Sequence, residues 1–377
     1  DALRCSLVML TPTGADIFFS ESTLEVGRNF CNKIFQATKL VLGNWEEAGL
    51  PAEAGRGEAS RTLDMAQVAP AERWQQEPAT ALADLWQGVF GGDLPVPVSD
   101  GDLTLEDRWI LSKLMTAAAD SGQNMDRRRL NDAAYEVFNF FRHEFCDWYL
   151  EAIKPRLRDD ATRGAARCGA GLNLAVSYKL LHPVMPFITE ELWSWLPPSR
   201  GFLMTSSVPE HGGDAPFAAD REFFEEIKEI VGVVRNVRNE LGVPPGKRGK
   251  AILRVHDQAG SERLTPATKL VALLAKMEEV EVIRGGEDPA PAGVGVSGTV
   301  EIFLPMKGLV DLDKERARLE KDLAKIEGWM KGCRAKLAND KFVNNAPEQV
   351  VQQQKDLLAE NEAKAAKLRE RIISLGT

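Results

Sequence analysis

The sequence predicts a mainly α protein made of a helical bundle, a small α+β module and a C-terminal antiparallel coiled-coil hairpin. Three observations support this fold class. Apolar residues recur at helical spacing over most of residues 23–241, short β-branched runs follow, and residues 312–377 carry heptads. With 377 residues, of which 44% are hydrophobic and 27% charged, the chain is long enough for two or three domains with their own cores.

The bundle is predicted to span residues 23–218, after a segment, 1–22, that is typical of the end of a preceding domain. In the first helix, 23–42, the residues Leu24, Phe30, Ile34, Leu40 and Val41 recur near helical spacing and leave a polar face on the other side. The stretch 51–102 is rich in Ala, Gly and Pro, and we interpret it as a variable insertion in which residues 84–90 have the pattern of a short helix.

The remaining bundle helices have recognisable ends. Thr104 to Asp107 form a capping pattern with acidic residues in the first turn, so a helix begins there. Further helices are predicted at 125–154, ending near Pro155, at 159–181 and at 184–196. The large aromatic residues follow the apolar stripes, which predicts core anchors rather than base-stacking surfaces; they are Trp109, Phe138, Phe141, Trp148, Trp193 and Trp195.

The α+β module is predicted at 219–308. A helix at 219–241 precedes three strand patterns, at 251–256, 280–285 and 299–306, with another helix at 267–277. The hairpin is predicted at 309–377. Its first helix has a heptad seam of Leu312, Leu319, Leu323, Ile326, Met330, Cys333 and Leu337, and its second has a weaker seam of Val350, Leu357, Asn361, Leu368 and Leu375.

Charge and cysteine usage exclude several classes of protein. A net charge of −9 argues against nonspecific coating of nucleic acid, which needs a broadly basic surface. Residues 312–377, however, carry 14 Lys and Arg against 11 Asp and Glu. The five cysteines form no CxxC pair, so neither a disulfide framework nor a zinc site is expected, and a reducing, cytoplasmic setting follows. No apolar run is long enough to span a membrane.

No pattern of catalytic residues is present either. The histidines His143, His182, His211 and His256 lie far apart, and we interpret His143 and His182 as structural. No Ser/His/Asp or Cys/His order and no Gly-rich phosphate loop is found. The sequence therefore predicts a chain without bond chemistry of its own.

Several motifs, in order along the chain, resemble the valyl-tRNA synthetases. DALR at 1–4 is similar to the stretch after the KMSKS loop of that family, and RNFCNKIFQATKLVL at 28–42 is similar to its first anticodon-domain helix. The other motifs are DRWIL (107–111), NDAAYEVFNFFRHEFCDWYLEAIKPRL (131–157), LLHPVMPFITEELWSWL (180–196), VRNVRNELGVPPGK (234–247), FLPMKGLVDLDKERARLEKDL (303–323) and KFVNNAPEQVV (341–351). Isoleucyl-type enzymes commonly end in a cysteine-rich zinc module and leucyl-type enzymes lack the terminal hairpin, so the valyl type is favoured.

The resemblance implies where tRNA would bind. In that family the first bundle helix presents polar and basic groups to the anticodon, which here are Arg28, Asn32, Lys33, Gln36 and Lys39. Gln36 stands where Asn is typical, Lys39 where Arg is typical, and Leu40 where an aromatic residue usually offers a stacking surface. The coiled coil would position the tRNA body through Lys314, Arg318, Lys321, Lys325, Lys331 and Arg334. A solvated surface with salt bridges between the arms is the open alternative.

The implied function is that of the tRNA-binding, noncatalytic part of a valine–tRNA ligase. The sequence begins at Asp1, which suggests a piece of a longer protein, and the HIGH-type and KMSKS-type motifs are not in it. ATP and Mg would belong to a separate catalytic domain, no cofactor or metal is expected here, and the expected partners are tRNA(Val) and the catalytic and editing domains. A monomer is expected. The alternative is a structural or assembly module whose hairpin binds protein partners.

Overall fold

A computed structural model describes residues 1–10, 21–43, 63–196, 201–210, 214–289, 291–306, 309, 312–338 and 348–374. The mainly α class is confirmed, with one small sheet beside the helices. Contacts divide the chain into two units, Asp1–Glu226 and Ile227–Thr377, and the division falls inside one long helix. No helix within the described residues has a stretch apolar and long enough to cross a bilayer.

The first unit is a bundle of α-helices. Their bounds are α1 Ala2–Leu10, α2 Glu21–Leu42, α3 Met65–Val68, α4 Ala71–Gln76, α5 Pro78–Phe90, α6 Leu105–Asp126, α7 Leu130–Asn139, α8 Leu150–Arg158, α9 Arg163–Leu181 and α10 Pro186–Trp195. The two-residue strands β1, Leu63–Asp64, and β2, Pro209–Glu210, pair in parallel. The capping box predicted at Thr104 is present, because its hydroxyl and backbone N–H both contact the Asp107 carboxylate.

The segment between α7 and α8 differs from the single predicted helix at 125–154. Residues Phe140–Tyr149 form a π-helix, a rare geometry whose hydrogen bonds span five residues. Phe141, Phe145 and Tyr149 contact one another along it, with ring centroids 5.3 and 5.8 Å apart. Pro155 does not end the helix either, since it lies inside α8. A π-helix cannot be read from a 3.6-residue apolar period, which explains the error.

Part of the stretch interpreted as a variable insertion packs into the bundle core. Trp74 of α4, together with Leu85 and Trp86 of α5, is fully buried, and Phe90 lies 5.8 Å from Trp193, ring to ring. The short helix expected at 84–90 is the C-terminal half of α5, whereas the Ala- and Pro-rich composition gave no sign of α3, α4 or the start of α5. Residues 51–62 lie outside the described part of the chain.

A buried ionic network joins α6 to α8. Arg156 donates from Nη1 to the carboxylate of Asp107 (2.6 Å) and to the hydroxyl of Thr104 (2.9 Å). The hydroxyl of Tyr149 donates to the other oxygen of Asp107 at 2.7 Å. Burial, followed by the charge of Asp107, raises the pKa of Glu106 in the same cluster. These bonds fix the π-helix against the start of α6.

The second unit contains a four-stranded mixed sheet. Helix α11, Ala218–Glu240, leads from the first unit into the second, and α12, Gln258–Leu264, and α13, Thr268–Ala275, follow. The strands are β3 Lys250–Val255, β4 Glu279–Arg284, β5 Ala292–Ser297 and β6 Val300–Pro305, in the order β4-β3-β6-β5. The sequence prediction missed β5, whose glycines conceal the strand pattern. Gly293 and Gly295 face α11, and a Cβ at Gly295 would lie 2.4 Å from Val233 Cγ1.

The C-terminal helices α14, Leu312–Leu337, and α15, Glu348–Ser374, pack together in opposite directions. Two ion pairs show the orientation, since Glu327 meets Arg369 at 2.5 Å and Arg334 meets Glu362 at 2.6 Å. In α14 the predicted seam residues Leu319, Met330 and Cys333 are buried. Among the described side chains of α15, Val351 and Ala365 are buried, and the predicted seam residues Leu357, Asn361 and Leu368 are half-buried. The side chains of Val350 and Leu375 lie outside the described part. Supercoiling of the two helices stays a prediction.

Candidate nucleic-acid interface

The five residues predicted to meet the anticodon lie on the outer side of α2. Phe30, Ile34 and Val41 turn inwards and are buried. The polar side chains turn outwards: Arg28, Asn32, Gln36 and Lys39 are exposed, and Lys33 is half-buried. At 3.6 residues per turn, Asn32 and Gln36 are neighbours on the same face. We call the exposed side of α2, which carries Arg28, Asn32, Gln36, Lys39 and Leu40, the outer face.

Lys33 is held at one edge of this face by the π-helix. Its Nζ lies 2.6 Å from Oδ1 of Asp147, and Nδ1 of His143 lies 3.4 Å from the other oxygen of that carboxylate. The three groups are half-exposed to exposed, so solvent weakens the attraction. Lys33 is therefore oriented by Asp147, and a phosphate would have to compete for it. His143, which we interpreted as a structural residue, is exposed at the surface.

The opposite edge of the outer face is aromatic. The ring of Phe35 meets that of Trp195 at 5.6 Å with an interplanar angle of 68°. Nζ of Lys39 lies 5.6 Å from the centroid of the Phe35 ring, within reach of a cation–π attraction. The interface thus has an ionic edge at Lys33 and an aromatic edge at Trp195.

Trp195 corrects the prediction that all large aromatic residues are core anchors. Trp109, Phe138, Phe141 and Trp193 are buried, Trp148 is half-buried, and Trp195 is 38% exposed. Trp193 and Trp195 are two residues apart on one helix, about 200° around its axis. They cannot share a buried face, and this spacing was a sequence signal that the prediction overlooked.

Leu40 also lies on the surface, with 40% of its area exposed, although it was placed in the apolar stripe. Its neighbour Val41 fills the core instead and is fully buried. Arg28 forms an ion pair with Glu25 at 3.2 Å, one turn earlier, and both side chains are more than half exposed. Such a pair is weak in water, so the guanidinium can exchange it for a phosphate.

The thiols near α2 are not reactive groups. Burial raises the pKa of Cys146 to about 12, and burial also raises the pKa of Cys31. Both thiols stay protonated at neutral pH and are poor nucleophiles. His182 is packed as a structural residue, since its Nδ1 bonds the Thr189 hydroxyl at 2.8 Å and burial lowers its pKa. Among the described residues, no group of three or more His, Cys, Asp and Glu could hold a metal ion.

The basic residues predicted on α14 do not form one set. Lys321, Lys325 and Lys331 are exposed, whereas Arg334 is bound to Glu362 of α15 at 2.6 Å. At about 100° per residue, Lys321 and Lys325 share a side of α14 and Lys331 lies about 120° from Lys325. Lys314 and Arg318 lie within α14, and their side chains are outside the described part. Arg334 thus matches the salt-bridge alternative. Lys325 forms an exposed pair with Asp322 of the same helix at 3.5 Å, a weak contact in water, and Lys321 and Lys331 are exposed.

The outer face of α2 and the aromatic edge beside it carry the kinds of groups that proteins use to bind single-stranded RNA loops. Amide groups at Asn32 and Gln36 can bond base edges, the cations at Arg28 and Lys39 can meet phosphates, and an aromatic surface lies beside them. Lys39 provides a point charge instead of the planar fork of an arginine. The exposed lysines of α14 give a separate, sequence-independent contact.

Two family models match the chain in the order in which these surfaces occur. Residues 107–254 match the anticodon-binding domain of tRNA ligase, and residues 311–376 match the valyl tRNA synthetase tRNA binding arm. Helix α2 precedes the first matched range. The fold and the matches define the class as the tRNA-binding region of aminoacyl-tRNA ligases.

Curated relatives give the family within that class. The valine–tRNA ligases of Syntrophotalea carbinolica and Xylella fastidiosa strain 9a5c are each 31% identical over 385 residues, covering all of this chain and 37% and 35% of the relatives. The valine–tRNA ligase of Geobacter sulfurreducens is 33% identical over 364 residues, covering 96% of this chain and 36% of that relative. The chain belongs to the valine–tRNA ligase family and corresponds to the C-terminal part of its members. It spans little more than a third of their length.

Proposed function

We propose that this chain is the tRNA-binding part of a valine–tRNA ligase, with the outer face of α2 reading the anticodon loop and α14 contacting the tRNA body. One observation carries the proposal: an anticodon-binding match and a tRNA-binding-arm match lie in order on one chain, beside surfaces with the required chemistry. We propose tRNA(Val) as the ligand, and a monomer as the bound form. The cytoplasmic setting expected from the cysteine pattern is part of the same proposal.

The chemical steps are assigned elsewhere in the ligase. The relatives are nearly three times as long as the matched segment, so adenylate formation with ATP and Mg, and editing, are proposed for the rest of such a protein. The described residues present no paired nucleophile and base near the interface, and the nearby thiols are held protonated. The contribution of this chain is therefore binding and orientation of the tRNA.

The experiment is filter binding of tRNA(Val) to the full chain at two salt concentrations. Affinity should fall as salt rises, because phosphate contacts release counterions. Lys39→Glu and a double variant, Lys321→Glu with Lys325→Glu, should each weaken binding, since a reversed charge repels a phosphate. Lys269→Glu is the matched control, because Lys269 is an exposed lysine of α13 and belongs to neither of the two proposed surfaces.

The outcomes separate the proposal from its alternative. Loss of affinity in the Lys39 and arm variants, with Lys269→Glu unchanged, supports tRNA binding by both surfaces. No salt-dependent binding by the unaltered chain would exclude the proposed function and favour a structural or assembly module. Equal effects of all three charge reversals would show only general electrostatic attraction.

A further inference from the structure

We propose that Trp195 is the base-stacking platform of the interface, on which a nucleobase of a single-stranded RNA loop stacks beside the outer face of α2. The inference rests on the proposed function and deepens it, because it names the residue that would receive the base. It also assigns the aromatic contact to α10 and not to α2 itself.

The exposure of Trp195 needs an explanation. It is the last residue of α10, and 38% of its surface is exposed, although indole groups are among the most strongly buried in this bundle. Trp74, Trp86, Trp109 and Trp193 of the same unit are 2% exposed or less. A large aromatic surface facing water loses the free energy that burial would provide, and a ligand that covers it recovers that loss.

Two contacts hold the indole of Trp195 in one orientation. Its Nε1 donates to Oε1 of Glu191 at 3.0 Å, one helical turn earlier. The ring of Phe35 packs against it edge to face at 5.6 Å. An aromatic ring that is already fixed loses little side-chain entropy when a base stacks on it.

The neighbours of Trp195 are the groups that accompany a stacked base in single-stranded recognition. Phe35 links the indole to Lys39, whose ammonium lies 5.6 Å from the Phe35 centroid and can meet the phosphate of the stacked nucleotide. Gln36 follows Phe35 on α2 and is exposed, so its amide can bond a base edge. Leu40, an exposed apolar residue of the outer face, has no π surface and cannot replace the indole.

The test uses the full chain and an RNA hairpin that consists of the anticodon stem and loop of tRNA(Val). Alanine substitution of a stacking aromatic residue costs about 1–3 kcal/mol per base, or about 5- to 140-fold in affinity. Since Trp195 is partly covered by Phe35, we expect Trp195→Ala to weaken hairpin binding by about 5- to 20-fold. Trp195→Phe keeps a π surface and should stay within about threefold of the unaltered chain.

Two further measurements separate stacking from a structural effect. With 2-aminopurine placed in the loop, binding should quench its fluorescence in the unaltered chain and in Trp195→Phe, and Trp195→Ala should abolish the quenching. Trp329→Ala is the matched control: Trp329 is an indole of similar exposure (42%), but it lies on α14, whose proposed partner, the tRNA body, is not in the hairpin, so its loss should leave hairpin binding unchanged. The thermal unfolding of each variant is measured to verify the fold.

The results distinguish this inference from the proposed function. If the chain binds the hairpin and Trp195→Ala binds it equally well, the stacking platform is refuted and tRNA binding stands. If Trp195→Phe is as weak as Trp195→Ala at unchanged stability, the indole acts through its bond to Glu191, and the stacking role is also refuted. If the unaltered chain binds neither hairpin nor tRNA, both proposals fail.

Discussion

The substitution Arg156→Met tests the account of how the bundle holds its π-helix. Arg156 is 13% exposed at its side chain, and its partners Asp107 and Glu106 are 5% and 11% exposed. The substitution keeps most of the aliphatic stem but removes three hydrogen bonds, to Asp107, Thr104 and the carbonyl of Asp102. It leaves two carboxylates buried without their cation.

The expected loss of stability is large for a single substitution. Removing one partner of a buried ion pair costs about 3–5 kcal/mol, and the low exposure of all three groups leaves little solvent screening. Because Tyr149 still donates to Asp107, we expect the lower end, about 3 kcal/mol. For a unit of this size each kcal/mol lowers Tm by roughly 2–4 °C, so Tm should fall by about 6–12 °C.

The pH dependence of this loss has a definite sign. Burial and the charge of Asp107 already raise the pKa of Glu106, and without Arg156 this pKa should rise further. The folded variant then binds more protons than the unfolded chain, so its stability decreases as pH rises. The deficit of Arg156→Met relative to the unaltered chain should accordingly shrink by about 1 kcal/mol between pH 7 and pH 5.

Tryptophan fluorescence during thermal and urea unfolding is the appropriate assay. Seven of the eight tryptophans of the chain precede residue 227, so the signal reports mainly on the first unit. Arg28→Met is the control, since Arg28 and Glu25 are exposed and their pair should contribute less than about 1 kcal/mol. A loss below about 1 kcal/mol for Arg156→Met, or a deficit that grows as pH falls, would refute the reasoning.

Two other substitutions are expected to change the stability of the chain in opposite directions. Burial lowers the pKa of Lys179 to about 8, so the folded chain binds fewer protons than the unfolded one above that pH and stability should rise with pH towards 10. Lys179→Met should abolish this rise. It should also stabilise the chain by about 1–3 kcal/mol at pH 7, measured by urea unfolding. Loss of the cation–π contact between Lys179 and Trp193, at 5.0 Å, offsets part of this gain. Gly295→Ala should destabilise the sheet by about 1–3 kcal/mol, because its Cβ would lie 2.4 Å from Val233 Cγ1. Faster hydrogen exchange of β5 amides would show this, while Gly246→Ala, which has open space, should leave exchange unchanged.

The sequence predicted most of the elements that have a regular apolar period, with the start of α5 as an exception. The prediction that Arg28, Asn32, Gln36 and Lys39 point outwards from α2 was correct, because Phe30 and Ile34 are buried on the opposite side of the helix. The sequence-based prediction failed where the local backbone geometry departs from the standard helix or strand period. The π-helix at 140–149 and the strand β5, which has glycines on its packed side, gave no recognisable pattern.

The sequence by itself determined the mainly α class, the family and the candidate surface on α2, since heptads, capping residues and ordered motifs are local properties of the chain. Only the tertiary structure decided which partners those residues meet. That Lys33 is held by Asp147, that Arg334 is bound to Glu362 and that Trp195 lies at the edge of α2 beside Phe35 depend on contacts between distant segments. Periodicity specifies the direction in which a side chain points from its own helix, but the neighbouring helix specifies what it contacts.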